Sequence, residues 1–278
     1  MRSCTVNILG INFFNGSVQE VVDRIKNGGL LVAPSAPGLS TIETDQQYYQ
    51  SLKDADIVIP DSGYMSLLWN AVSRHKIYRI SGLEFLMAFL ADSAVKTASE
   101  IIFVDPRKKE AQLNQDFLRK QGFTIPNDAS YIAPMYNTDK VEDPVLLQLI
   151  KERKPKYIVI NIGGGIQEKL GAYLKTNLDY MPGIICTGAA IAFLTGQQAA
   201  IPLWADKLFM GWLFRCFEKP GQFIPRYVKA FKLAKVMIMH GYKCQLDLLS
   251  RNLINTHNTK TAKDMDEMYS LTAEISGL

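Results

Sequence analysis

Short runs of β-branched and aliphatic residues recur along the chain, and stretches with helical spacing separate them. Such runs predict strands that are buried in a sheet. They occupy residues 5–9, 30–33, 57–60, 101–104, 157–162 and 184–187. Between them, a capping-box pattern at residues 17–20 opens a helix, and residues 108–121 and 144–153 have helical spacing. This alternation predicts an α/β fold with a mostly parallel sheet and helices on both faces.

Positive charge is concentrated near the C-terminus. Residues 207–243 carry eight Lys or Arg against one acid, a local balance of +7, which leaves −3 for the rest of a chain whose total is +4. Aromatic and aliphatic residues alternate with these charges, a composition that favours an anionic membrane surface. The alternative is a helix pair whose apolar side packs on the core while its lysines are solvated. We therefore divide the chain into a core over residues 1–200, a basic aromatic appendage over 201–254 and a polar tail over 255–278.

The overall composition is that of a globular protein. Hydrophobic residues make up 47% and charged residues 21% of the 278 residues, which argues against disorder, collagen and coiled coil. The cysteines are far apart, without a CxxC pair, and indicate a reducing cytoplasm. They are Cys4, Cys186, Cys216 and Cys244. We see no signal peptide, and the longest apolar stretch, residues 181–194, is shorter than the roughly 20 residues that span a bilayer.

An aspartate follows one of the predicted strands directly. Ligands of open parallel sheets bind beyond the carboxyl ends of the strands, and the run at residues 57–60 ends in Asp61 at such a place. A carboxylate there can act as a general base toward a hydroxyl. The alternative is that Asp61 caps the helix that begins near Gly63. The spacing of these residues is compatible with both interpretations.

A glycine-rich turn, Gly163-Gly164-Gly165, leads from another predicted strand into a helix. Backbone amides at a helix N-terminus form an anion site suited to a diphosphate. The turn is not a GxGxxG dinucleotide motif, because Glu168 stands where the third glycine belongs. A tight turn without a ligand is the alternative.

Arginines near these segments are candidates for phosphate binding. Basic residues at 74–79 precede a helix start, and Arg79 could clamp phosphate oxygens. Arg215 and Arg226 lie in the basic segment and could neutralise a diphosphate. A solvated surface position is the alternative for each of these arginines.

The sequence predicts no metal site. Two DxD strings, residues 54–56 and 264–266, are too short to be specific, and the first precedes its strand. None of the three histidines has a partner at ligand spacing. They are His75, His240 and His257.

Taken together, these segments resemble the WecG/TagA/CpsF glycosyltransferases, glycosyltransferase family 26, from about residue 5 to residue 235. The motifs are ADIVIPDSG at 55–63, RISG at 79–82, GGGIQE at 163–168, GAAIAFLTG at 188–196, PLW at 202–204, GWLFR at 211–215, EKP at 218–220 and PRY at 225–227. The resemblance implies a Rossmann-like core and a basic helical C-terminal appendage that meets the membrane and completes the active site.

The resemblance also implies an activity. Family members transfer N-acetylmannosamine or its uronic acid, with inversion and without a required metal, from a UDP-sugar donor to a polyprenyl-diphosphate-linked N-acetylglucosamine. By position, Asp61 matches the general base, Arg79 and Gln167 match pocket residues, and Arg215 and Arg226 match arginines of the appendage. The implied protein is cytoplasmic and peripheral on the anionic inner leaflet, with a homo-oligomer expected. No cofactor is implied, and no nucleic acid, because hydrophobic residues rather than polar ones separate the basic residues.

The chain departs from the family pattern in three places. It reads Ala33-Pro34-Ser35 where Thr-x-Asn is usual, Gly165-Ile166 where Pro-Lys is usual, and Ala192 where an Asp is usual. We assign Ser35 to the substrate pocket and expect donor or acceptor contacts to differ at these positions. The departures keep an alternative function open, a catalytically silent binding or scaffold protein of a polysaccharide assembly complex.

Overall fold

A single mixed sheet forms the centre of the fold. The computed structural model describes residues 5–96, 100–126, 128–197, 216–217 and 220–240. The strands are β1 (Thr5–Ile8), β2 (Ile11–Phe14), β3 (Gly29–Val32), β4 (Ile57–Val58), β5 (Ile101–Asp105), β6 (Ser130–Ile132), β7 (Tyr157–Ile160) and β8 (Gly183–Cys186). Their order is β1-β2-β4-β3-β8-β7-β5-β6. Only β1 and β2 pair antiparallel among these strands, so the prediction of a mostly parallel sheet is confirmed.

Helices cover both faces of this sheet. They are α1 (Val18–Ile25), α2 (Ala36–Leu39), α3 (Gln46–Lys53), α4 (Gly63–Val72), α5 (Gly82–Ala91), α6 (Ser93–Lys96), α7 (Lys108–Lys120), α8 (Pro144–Arg153), α9 (Ile166–Asn177), α10 (Ala190–Leu194), α11 (Pro220–Ala230) and α12 (Lys232–His240). Successive side chains of β3 enter different cores: Leu30 packs with α3 and α9, whereas Leu31 packs with α1 and α5. The predicted capping box forms at the start of α1, between Ser17 and Glu20.

Two strands were not predicted, β2 and β6. Leu9 and Gly10 both have positive φ, +56° and +76°, and they form the two-residue turn that ends β1 and returns the chain as β2. The run at 57–60 is shorter than predicted, because β4 ends at Val58 before Pro60, which has no amide hydrogen for the ladder. The short β6 lies at the sheet edge and is only half-buried, so its composition carries little signal.

The described part of the basic segment consists mainly of α11 and α12. α11 packs against α2, and α12 packs against α2 and α4. Ala230, Leu233 and Val236 are buried in the same core cluster as the sheet. The rings of Tyr64 and Phe231 meet edge to face with centroids 5.7 Å apart. One side of the segment therefore packs on the core, as the alternative interpretation expected.

The described parts of α11 and α12 also expose apolar side chains next to lysines. The large apolar ones are Ile224, Val228, Ile238 and Met239, and the lysines are Lys232 and Lys235. None of the described helices is long and apolar enough to cross a membrane. Arg215, most of the residues between 198 and 219, and the tail from residue 241 lie outside the described residues.

Candidate active site

Asp61 lies at the carboxyl edge of the sheet, just beyond β4, and two neighbouring groups hold it. Its Oδ1 accepts a hydrogen bond of 2.9 Å from the backbone amide of Gly82, the first residue of α5. The Arg79 Nε donates to the Asp61 carbonyl oxygen at 2.8 Å, and Arg79 Nη2 lies 4.0 Å from Oδ1. The Asp61 side chain keeps 28% of its surface exposed and that of Arg79 keeps 16%. The carboxylate is thus fixed in place and open to solvent on one side.

Asp61 does not cap the helix that follows it, so that alternative interpretation is wrong. The cap of α4 is Ser62, whose hydroxyl accepts from the amide of Met65 at 3.1 Å. Asp61 reaches across to the N-terminus of α5 instead, where a carboxylate is stabilised by the helix dipole. The cap of α5 itself is Ser81.

The glycine-rich turn connects β7 to α9 and faces open space. Gly163 and Gly164 are exposed, and a Cβ added at Gly163 would meet no atom within 4 Å. Gly165 has φ +92°, a conformation that requires glycine. The Gly165 amide donates to Glu168 Oε2 at 2.7 Å, so it does not point at a ligand. Within this turn, the amides of Gly163 and Gly164 therefore remain as the candidates for binding an anion.

Gln167 is buried, and its amide links two loops of the site. Its Oε1 accepts from the Gly188 backbone amide at 2.7 Å, and its Nε2 donates to Glu168 Oε1 at 3.0 Å. Because the Gly188 N–H can only donate and the Glu168 carboxylate can only accept, these partners determine which end of the Gln167 amide faces Gly188. The expected role of Gln167, orienting the sugar or nucleotide by hydrogen bonds, stays a prediction. The structure shows it joining the β7–α9 turn to the loop after β8.

Close packing brings Asp61 next to these loops. A Cβ added at Gly82, whose amide holds Asp61, would lie 3.4 Å from the Thr187 Cβ and 3.6 Å from the Ala33 Cβ. Thr187 follows β8 directly and precedes Gly188. The carboxyl ends of β4, β3, β8 and β7 thus form one continuous site, with Asp61 on one side and the glycine-rich turn on the other.

The structure describes some of the remaining predicted site residues and leaves the side chains of others undescribed. Ser35 is half-buried just beyond β3, where it precedes α2 without making a side-chain cap bond. α11, which contains Arg226, packs on α2, but the Arg226 side chain lies outside the described residues, as Arg215 does. Ala192 lies in α10. The structure therefore brings Ser35 to the same edge as Asp61 and does not describe the side chain of either appendage arginine.

A buried polar cluster at the ends of β5 and β7 was missed by the sequence analysis. Asp105 Oδ1 accepts from the Nδ2 groups of Asn114 and Asn161, each at 2.8 Å. Burial raises the pKa of Asp105, while the hydrogen bonds from Asn161 and Asn114 oppose that change. The available signal was an Asp at the end of one apolar run and an Asn at the end of another.

The DxD string at residues 54–56 has a structural role. Asp56 Oδ2 accepts from the Leu30 amide at 2.7 Å and pairs with Lys175 at 2.8 Å. Asp54 Oδ1 accepts from Gln50 at 2.7 Å. Within the described ranges, no three His, Cys, Asp or Glu side chains are grouped so that they could hold a metal ion.

A protein-family model matches most of the chain. The model of the glycosyl transferase WecG/TagA/CpsF family matches residues 6–243, which include every described residue of the site. No curated protein matches the chain.

Proposed function

Because the chain belongs to the WecG/TagA/CpsF glycosyltransferase family, whose members act in cell-surface polysaccharide synthesis, we propose that it transfers an N-acetylmannosamine-like sugar with inversion. The donor is a UDP-sugar and the acceptor an undecaprenyl-diphosphate-linked N-acetylglucosamine. The observation that carries the proposal is the half-exposed Asp61 carboxylate, held by the Gly82 amide at the carboxyl edge of a parallel sheet. Ligands of such sheets bind at this edge.

In the proposed reaction, Asp61 removes the proton from the acceptor hydroxyl. The hydroxyl oxygen forms a bond to the anomeric carbon while the bond between that carbon and the UDP oxygen breaks, and UDP departs with the bonding electrons. Attack opposite the leaving group inverts the anomeric carbon. Arg79 and Arg226, with the amides of Gly163 and Gly164, stabilise the charge that develops on the diphosphate. Gln167 orients the sugar or nucleotide, and its bonds to Gly188 and Glu168 hold the loops of the pocket.

We place the protein on the cytoplasmic face of the membrane, where the lipid-linked acceptor is presented. The exposed apolar residues of α11 and α12 support this placement, and so do the exposed Lys232 and Lys235 next to them. Apolar residues next to lysines bind anionic lipid surfaces. Binding to anionic vesicles should therefore weaken as salt rises, and duplex DNA should not compete. Binding to DNA but not to vesicles would contradict the placement.

UDP release by the purified full-length protein tests the activity. The assay uses a panel of UDP-sugars, UDP-N-acetylmannosamine included, with the polyprenyl-diphosphate acceptor in detergent, with and without EDTA. We expect acceptor-dependent release that survives EDTA, with one donor preferred. A folded protein that binds vesicles and releases UDP from no donor would favour the scaffold function. Release that EDTA abolishes would overturn metal independence.

The glycine-rich turn supplies a separate prediction, Gly163→Ala. The new Cβ meets no atom of the described structure within 4 Å, so stability should not change. If a diphosphate packs on this turn, the methyl group keeps it at a distance, and the affinity for UDP should fall about tenfold, roughly 1.4 kcal/mol. Calorimetric titration with UDP and urea unfolding measure the two effects. Unchanged UDP affinity would favour a turn without a ligand.

A further inference from the structure

Glu168 is a buried carboxylate with a demanding set of partners. It lies in the first turn of α9, where Oε2 accepts from the Gly165 amide at 2.7 Å and Oε1 accepts from Gln167 Nε2 at 3.0 Å. The negative charge of Glu168 also acts on a core residue. Burial raises the pKa of the Cys186 thiol, and the charge of Glu168 raises that pKa further. Burying a carboxylate is costly unless hydrogen bonds compensate it. A residue needed only to cap a helix could remain at the surface.

The same local motif occurs at α1 without this burial. Glu20 also stands at the third position of its helix and accepts from the backbone amide of the capping residue, Ser17, at 2.8 Å. Glu20 is exposed and its second partner is the Ser17 hydroxyl at 3.0 Å, whereas Glu168 is buried and its second partner is the amide of Gln167. The two glutamates therefore share the capping bond and differ in burial and in this second partner.

Through Gln167, Glu168 connects the glycine-rich turn to the loop that carries Thr187 and Gly188. Gly188 has φ +63°, and its amide is held by Gln167 Oε1. Thr187 packs against Gly82, whose amide holds the Asp61 carboxylate. A rotation of the Gln167 amide would release Gly188 and loosen the packing behind Asp61. This series of contacts starts beyond β7, passes the loop after β8 and the start of α5, and ends at Asp61 beyond β4.

We propose that Glu168 is a positioning residue for sugar transfer: it fixes the orientation of the Gln167 amide and, through Gly188 and Gly82, the position of Asp61. The proposal rests on the proposed function. A positioning role differs from ordinary helix capping in one testable way. The effect of a Glu168 substitution on kcat should depend on the presence of Gln167. Since alignment of the base matters in the transition state more than in the bound ground state, the effect falls on kcat rather than on the donor KM.

The test compares Glu168→Met, which has no strong acceptor, with Glu168→Gln, which keeps one oxygen, and with the matched control Glu20→Met. We expect Glu168→Met to lower kcat about 10- to 100-fold with the donor KM within about threefold, because small displacements cost this much. Glu168→Gln should recover part of the loss, and Glu20→Met should leave kcat unchanged. In a Gln167→Ala background, Glu168→Met should have little further effect on kcat.

Amide hydrogen exchange at Gly188, measured by NMR on the full-length protein, provides a readout that needs no turnover. Exchange should accelerate in Glu168→Met and not in Glu20→Met. Additive effects of the Gln167 and Glu168 substitutions, or equal losses in Glu168→Met and Glu20→Met, would overturn the positioning role. If the wild-type protein releases no UDP from any donor, the proposed function fails, and the exchange rate at Gly188 alone decides whether Glu168 fixes the loop.

Discussion

Asp61→Asn should lower kcat by about 10²- to 10⁴-fold, the contribution of a general base, while UDP affinity and stability stay close to those of the wild type. The asparagine Oδ1 can still accept from the Gly82 amide, and the Arg79 Nε bond goes to the backbone carbonyl, so these two contacts are retained while the ion pair with Arg79 Nη2 at 4.0 Å is lost. The amide nitrogen of asparagine cannot take a proton from the acceptor hydroxyl. Initial rates of UDP release, UDP titration and urea unfolding measure the three quantities.

Asp56→Asn is the matched control for this substitution. Asp56 also accepts a backbone amide, that of Leu30, but it lies before β4, at the opposite edge of the sheet, and pairs with Lys175. We expect its replacement to lower the free energy of unfolding by about 1–3 kcal/mol, because a hydrogen-bonded ion pair is lost, with kcat unchanged. An Asp61→Asn enzyme that turns over at the wild-type rate would exclude Asp61 as the base.

Much of the fold follows from local sequence patterns. All six predicted strands occur with boundaries shifted by a few residues, because buried parallel strands are continuous apolar runs. The hairpin strand β2 was missed because its turn uses Leu9 at positive φ, and leucine carries no signal for that conformation. In the sheet, β4 lies between β2 and β3. Local sequence patterns do not show which strands pair with each other, so these neighbours of β4 could not be predicted.

The site was less predictable than the fold. The prediction that Asp61 lies at the carboxyl edge of the sheet is confirmed. A residue that directly follows a parallel strand lies at that edge, whatever the rest of the fold. The spacing of residues could not show that Asp61 would bind the amide of Gly82, 21 positions away. Nor could it show that Glu168 would take the Gly165 amide that we had assigned to a diphosphate. Which hydrogen-bond partner a group finds depends on its burial and on distances in the folded chain. The sequence alone gives neither quantity.

Removal of the chain from Pro220 onward would be an ambiguous test of membrane binding. Ala230, Leu233 and Val236 belong to the buried core, so the deletion would expose that core as well as remove the apolar surface. Ile224 and Val228 avoid this difficulty, because they lie one helical turn apart on α11 with 49% and 60% of their surfaces exposed. Substituting them alters the proposed lipid contact and leaves the packed side of the helix intact.

The double variant Ile224→Asp/Val228→Asp should bind anionic vesicles at least about 100-fold more weakly than the wild type. Burying each aliphatic side chain contributes about 1.5–3 kcal/mol, and each added carboxylate is repelled by the anionic surface. Co-sedimentation with vesicles measures this loss, and transfer to the acceptor embedded in the vesicles should fall with it. The control Val145→Asp, on α8 with 70% exposure, should bind vesicles normally.

A water-soluble acceptor with a shortened lipid chain separates docking from damage to the site. The double variant should use this acceptor at the wild-type rate, since neither substituted residue lies among the site residues around Asp61. If vesicle binding is unchanged, the apolar side of α11 is not the lipid contact. If activity on the soluble acceptor is lost as well, α11 contributes to the pocket itself, and Arg226, in the same helix, becomes the next residue to substitute.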